Sequence, residues 1–129
     1  MRTYDDTFSG QRIYPGKVRI HLLDTAGAEK YLRNALAVTH QLGVVSLSLV
    51  TLTNIGALRS QLGDYQGALD LFGLVRSHPA ADANTNQEQA RFLKALENKL
   101  TQAQINQGLD HGSTLDFDAV IQTILSLPA

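Results

Sequence analysis

From Asp24 to Leu42, apolar and small residues fall at Ala28, Tyr31, Leu32, Ala35, Leu36, Val38 and Leu42. That three-and-four spacing predicts a helix capped by Asp24 or Thr25 and stopped by Gly43. The next stretch is rich in β-branched residues (Val44, Val45, Val50, Thr51, Thr53), whose propensity alone favours a strand. Its register through Leu49, Leu52, Ile55, Ala57, Leu58 and Leu62 is helical, however, and predicts a second helix over about 45–62. Gly63-Asp64 breaks the pattern, and a third helix is predicted from about Tyr65 to Arg76, closed by His78-Pro79. A polar loop over 80–86 precedes a fourth helix from about Asn86 to Thr101. Ala90, Phe92, Leu93, Leu96 and Leu100 form its apolar side, while Glu88, Arg91, Lys94, Glu97 and Lys99 face water. A short helical piece around 102–107 ends at Gly108. Thr114 or Asp116 then caps a last amphipathic helix through Phe117, Val120, Ile121, Ile124 and Leu125.

The pattern also repeats. Asp24-Thr25-Ala26-Gly27-Ala28 returns forty positions later as Asp64-Tyr65-Gln66-Gly67-Ala68. In the same register Gly16 aligns with Gly56, Val18 with Leu58, Arg19 with Arg59, Leu22 with Leu62, Leu32 with Phe72 and Ala35 with Val75. Self-similarity at such a period marks a stack of helical hairpins, each burying its apolar face on its neighbours. Beyond the second copy the pattern stops, since Ala103 and Gln104 stand where Gly-Asp would be. Three segments follow: an N-terminal segment over 1–16, one and a half repeats over 17–79, and a helical C-terminal cap over 80–129. Half of the first unit's opening helix is missing. An exposed apolar patch around Leu32 and Leu36 is therefore expected, and with it self-association.

Composition narrows the picture. At 129 residues the chain is one domain with a modest core. Aromatics make up 6% and Trp is absent, so the core is built from Leu, Val, Ile and Ala. A net charge of −1 supplies no field toward nucleic acid or an anionic membrane. The absence of Cys excludes disulfides and thiolate zinc sites. No run reaches the roughly 20 apolar residues of a membrane span. The start lacks the apolar core of a signal peptide, which points to a cytoplasmic protein.

Candidate chemistry is thin. His21, His40, His78 and His111 are scattered, without the i, i+4 pairing or Cys partners of metal sites, so no metal is expected. Asp110, Asp116 and Asp118 surround Gly112 but fail calcium-loop spacing, and helix capping accounts for them better. No Ser lies in a G-x-S-x-G elbow. Leu22-Leu23-Asp24-Thr25-Ala26-Gly27 resembles the Asp-Thr-Ala-Gly switch of small GTPases, which requires an upstream phosphate loop. Gly10 to Gly16-Lys17-Val18 has one residue too many and Val in place of the Mg²⁺-binding hydroxyl. The repeat copy at Asp64 and Gly67 assigns Asp24 and Gly27 to a hairpin turn instead. No enzyme and no cofactor is expected.

The unit Asn54-Ile55-Gly56…Gly63-Asp64-Tyr65-x-x-Ala68-Leu69-x-x-Phe72 resembles a tetratricopeptide repeat. Small residues at Gly56 and Ala68 let two helices approach, Leu52, Ile55, Leu69 and Phe72 fill the seam, and Tyr65 plugs the turn. Its forty-residue length is similar to repeats in the C-terminal sensor regions of large bacterial signalling ATPases and their transcription-activator relatives. The tail, with His78-Pro79 and Leu115-Asp116-x-x-x-Val120-Ile121-x-x-Ile124-Leu125, resembles the ends of those chains. The likeness implies an all-α fold: antiparallel hairpins stacked as a short tetratricopeptide-like superhelix, a helical C-terminal cap, and an irregular or β-hairpin N-terminal segment. It also implies a fragment of a larger signalling protein. A second resemblance is carried by Met1-Arg2-Thr3-Tyr4-Asp5-Asp6-Thr7-Phe8-Ser9-Gly10-Gln11-Arg12-Ile13-Tyr14-Pro15-Gly16-Lys17, which is similar to the start of eukaryotic ribosomal proteins of the L-twenty-four-e family. There the segment forms a β-hairpin on ribosomal RNA. Such proteins carry a strong positive charge, which this chain lacks. A junction near Gly16 reconciles the two likenesses.

The leading expectation is a non-catalytic protein- or peptide-binding module. The first helix of each unit lines a concave groove, here presenting Lys17, His21, Thr53, Asn54, Ala57, Ser60 and Gln61. This polar, nearly uncharged set suits a peptide backbone or a neighbouring repeat. The alternatives are a structural cap of a longer array without its own ligand, and ribosome association through residues 1–17, the one route to nucleic acid.

Overall fold

The computed structural model describes residues 25–127; the N-terminal segment expected to be irregular or a β-hairpin lies outside them. Six helices account for most of this span: α1 (Thr25–Leu42), α2 (Val45–Gln61), α3 (Tyr65–Ser77), α4 (Ala83–Leu96), α5 (Gln102–Ser113) and α6 (Phe117–Ser126). No strand occurs among the described residues, and the fold is all-α. The β-branched start of α2 is helical throughout, because its apolar register meets partners on both sides.

Two glycines end the first two helices in the same way. Gly43 and Gly63 take φ of 73° and 87°, a left-handed conformation that costs glycine little. Each lets the following amide donate five residues back, Val44 to the Thr39 carbonyl at 3.0 Å and Asp64 to that of Arg59 at 2.9 Å. The chain therefore reverses at once, and α2 packs antiparallel against both α1 and α3. Later helices start on side-chain caps. Asp64 accepts from Gly67 N at 3.0 Å, Asp82 from Thr85 N at 2.8 Å and Asp116 from Ala119 N at 2.9 Å. The Thr85 backbone N–H, followed by its hydroxyl, holds the Asp82 carboxyl below the ordinary carboxylate value. Thr101 and Gln104 form a reciprocal capping box at 3.1 and 2.9 Å.

These caps correct three boundaries. The loop expected over 80–86 is shorter, because Asp82 starts α4 at Ala83. The fourth helix ends at Leu96 rather than Thr101, since Thr101 caps the next one. The short piece expected to end at Gly108 is α5, twelve residues that run through both Gly108 and Gly112.

Two core clusters hold the helices. In the first, Leu32 and Leu36 of α1 pack with Leu49 and Leu52 of α2, Leu71 and Val75 of α3, and Ile121 and Ile124 of α6. The expectation that Leu32 and Leu36 would be exposed is thus overturned: α6 folds back and closes the core over α1 and α3. Full burial of each isoleucine contributes about 2 kcal/mol before the entropy of ordering α6. Arg33 donates to the Leu127 carbonyl at the end of α6, and the His78 and Phe117 rings meet at 4.9 Å at its start. The second cluster joins Ala68, Leu69 and Phe72 of α3 to Leu96 and Ile105, with Phe92 stacked on Phe72 at 6.1 Å.

Helices α3 and α5 approach closely through glycine. A Cβ at Gly73 would strike the Leu109 carbonyl and lie 3.0 Å from Gly112 Cα, and one at Gly112 would strike the Asp70 backbone. Helix α4 is held differently. Gln89 is 0% exposed, yet neither its Oε1 nor its Nε2 has a hydrogen-bond partner among the described residues.

Two outcomes follow. Gly73→Ala and Gly112→Ala each force backbone against backbone and are expected to lower unfolding free energy by about 2 kcal/mol or more in urea titrations. A midpoint unchanged in both would refute the contact. Gln89→Leu keeps the volume and removes an orphaned amide, so it is expected to raise stability by about 1 kcal/mol. A lower melting temperature would show that the amide is satisfied.

Candidate functional site

The groove expected on the first helices of the repeats is only partly assembled. Lys17 and His21 lie outside the described residues. Thr53 and Ala57 are buried and present nothing to a ligand, which corrects their assignment. The reason is the position of α2, which packs against α1, α3 and α4 and so buries residues on nearly every side. Thr53 Oγ1 turns inward to donate to the Leu49 carbonyl at 3.0 Å. Asn54 and Ser60 are half-buried and Gln61 is exposed. Three residues of the expected set therefore remain on the surface, a narrow polar strip rather than a lined groove.

Concave surface lies beside α1 and α6 and along the α3–α5 contact. Where two helices approach through glycine, larger side chains at the flanks splay apart and leave a cleft on each side. One cleft, of about 450 Å³, runs past Arg76, Ser77, Asn106 and Ser113. The other, of about 540 Å³, has a floor of Leu69, Leu100 and Gly108. Its rim carries Tyr65, Gln66, Gln104, Gln107 and His111. Both fall in the size range of ordinary ligand sites.

A small network orders the rim of the larger cleft. Asp70 Oδ1 stands 2.7 Å from His111 Nδ1 and also accepts from Gln66 Nε2 at 3.0 Å. A carboxylate only accepts, so Nδ1 carries the proton and Nε2 is left open. Gln104 is committed to the capping box. Tyr65, Gln107 and His111 Nε2 supply the open polar groups over the apolar floor. No Lys, Arg, Asp or Glu lines this cleft. The arrangement can hydrogen-bond an uncharged polar chain while burying one of its apolar groups.

Sequence reasoning missed this site because it ended the helix at Gly108. The readable signal was Gly108-x-x-x-Gly112, small residues one turn apart, together with Gly73 on α3. The other motifs resolve into structure. Thr25 to Ala28 form the first turn of α1, and Asp64, the repeat partner of Asp24, is a helix cap. His78 Nδ1 accepts from Ala80 N at 3.0 Å at the end of α3, and His40 is half-buried. Among the described residues no group of three His, Cys, Asp or Glu is placed to hold a metal ion, and no helix is long and apolar enough to cross a membrane.

No protein-family profile matches the chain, and no solved structure matches it. A stretch of 22 residues is 77% identical to large ribosomal subunit protein eL24 of Neurospora crassa, covering 17% of this chain and 14% of that protein. That is the family residues 1–17 resemble, and the chain is similar to it over this short stretch.

Proposed function

We propose that the chain is a non-catalytic helical-hairpin module of the tetratricopeptide type that holds an extended segment of a partner protein, a scaffold for signalling assemblies in the cytoplasm. The observation that carries this reading is the α3–α5 cleft, with its apolar floor and uncharged rim of amides, phenol and imidazole. A peptide backbone offers alternating donors and acceptors without charge, and such a rim answers both. Half-buried Leu100 would take an apolar side chain of the bound segment. The repeat register and the immediate reversals at Gly43 and Gly63 support the hairpin type. Peptides selected from a random display library on the full chain are expected to lose at least about tenfold in affinity when Tyr65 or Gln107 is changed to Ala. Asn54→Ala with Gln61→Ala should leave them bound. Retention by the first pair and loss by the second would return the site to the α2 strip.

A second reading has its own observation, the 22 residues shared with the ribosomal protein. In that reading the chain contacts the large ribosomal subunit through residues 1–17, and the helices carry the segment. Purified large subunits should then retain the full chain in co-sedimentation and release a chain lacking residues 1–17. Equal retention of both would dismiss it.

A further inference from the structure

We infer that the α3–α5 cleft selects a side-chain carboxamide, an Asn or Gln of the bound segment. This selection rests on the cleft being the peptide site and adds which side chain it takes. Three polar groups of the rim have their roles fixed by partners that do not line the cleft. Asp70 Oδ1 meets His111 Nδ1 at 2.7 Å and Gln66 Nε2 at 3.0 Å. A carboxylate only accepts, so each of these partners spends a donor on it. His111 is left with Nε2, an acceptor in the neutral ring, and the unengaged atom of Gln66 is Oε1, another acceptor. Gln104 is fixed the opposite way. Its Oε1 accepts from Thr101 N at 2.9 Å, and its unengaged atom is Nε2, a donor.

The rim therefore offers acceptors at His111 and Gln66 and a donor at Gln104. A carboxamide is the complement, with two N–H donors on one atom and a C=O acceptor beside it. A carboxylate brings no donor, and both acceptors would lie against it unpaired. An ammonium or guanidinium brings no acceptor for Gln104. Its charge would also go unbalanced, since no described Lys, Arg, Asp or Glu lines the cleft and Asp70 already serves two donors. Tyr65 and Gln107 both donate and accept, so they follow the backbone of the segment and express no such preference.

Asp70 is then a positioning residue for the cleft. It is half-buried on α3, between Gln66 one turn before it and His111 across the contact, and acts on a ligand through both. Without its charge the His111 proton is free to sit on either ring nitrogen, and Gln66 is free to present either end of its amide. The cleft would keep its shape and lose its preference.

Two measurements on the full chain test this. Nitrogen-15 spectra of the free chain at pH 8 should place the His111 proton on Nδ1, and a proton on Nε2 would overturn the selection before any ligand is added. The probes for the second are random-library peptides whose binding is lost in Tyr65→Ala. They should share an Asn or Gln beside an apolar residue, and replacing that amide by its isosteric acid should weaken binding by at least about tenfold. In Asp70→Asn the amide-to-acid ratio should fall toward one at unchanged helical circular dichroism. Should that variant misfold, Gln66→Leu at an exposed position should narrow the same ratio. Tyr65-dependent peptides with no common amide, or amide and acid bound alike, would overturn the selection and leave the peptide site standing. Peptides indifferent to both Tyr65→Ala and Gln107→Ala would remove the site itself, and the selection with it.

Discussion

The glycine contact between α3 and α5 is the constraint on which the C-terminal half depends. Gly73 and Gly112 bring the two backbones to a distance no side chain allows, and Gly108 makes room for the Leu69 side chain. Each glycine costs its helix about 1 kcal/mol in propensity relative to Ala, so α5 is a poor helix by itself. What holds it is the dispersion gained by close backbone packing, together with Ile105 and the Asp70–His111 bond. Once α5 is fixed, the short turn through Thr114 and the Asp116 cap leaves α6 little choice of direction. It returns across α1 and α3 and seals the first core. The same contact, by holding its flanking side chains apart, produces the clefts. Fold and candidate site thus share one cause.

The sequence revealed some parts of this and hid others for a physical reason. Helices α1 to α3 were legible because apolar spacing agreed with the stops at Gly43 and Gly63 and with the cap at Asp64, and the forty-residue echo repeated the evidence. The C-terminal third was harder because glycine has two uses. At Gly43 and Gly63 it permits positive φ and ends a helix, while at Gly108 it permits close approach inside one. Sequence spacing alone does not separate these, since the deciding partner, Leu69, is nearly forty residues away. Asp82 was lost among polar neighbours, although its cap is as direct as that of Asp64. Thr101 with Gln104 was readable as a capping box and would have placed the α4–α5 break.

The burial of Thr53 and Ala57, expected in the groove, has a different cause. Periodicity says which residues share a helical face but not how many neighbours the helix has. A helix at the edge of a stack keeps one polar face, whereas α2 has α1, α3 and α4 around it. Thr53 and Ala57 are small enough to sit against such neighbours, and Thr53 satisfies its hydroxyl within its own helix. Small and weakly polar residues are therefore poor markers of a groove, since an interior helix of a stack needs the same types. Gln61 stays exposed at the end of α2, where those neighbours run out.

Helices α1 and α4 are built to different rules, and α4 shows how a polar outer helix is achieved. Its fully buried residues are Thr85, Gln89 and Leu96, so two of the three are polar and one is an amide without partners. Phe92 contributes by stacking on Phe72, and the outward face carries the Glu88–Arg91 pair at 2.9 Å, which adds little. A helix held this way gives up stability to end the array in water. Helix α1 differs: it buries Ala28, Leu32 and Leu36 and leaves Tyr31, Val38 and Leu42 exposed beside them. Local opening should then begin at α4, where few apolar contacts would be lost, and spare the α1–α2–α3–α6 core. In a linear stack the capped end is the stable terminus, because the cap shields the last interface. Here the shield over α1 is supplied by α6 across the first core, which leaves α4 free to be polar.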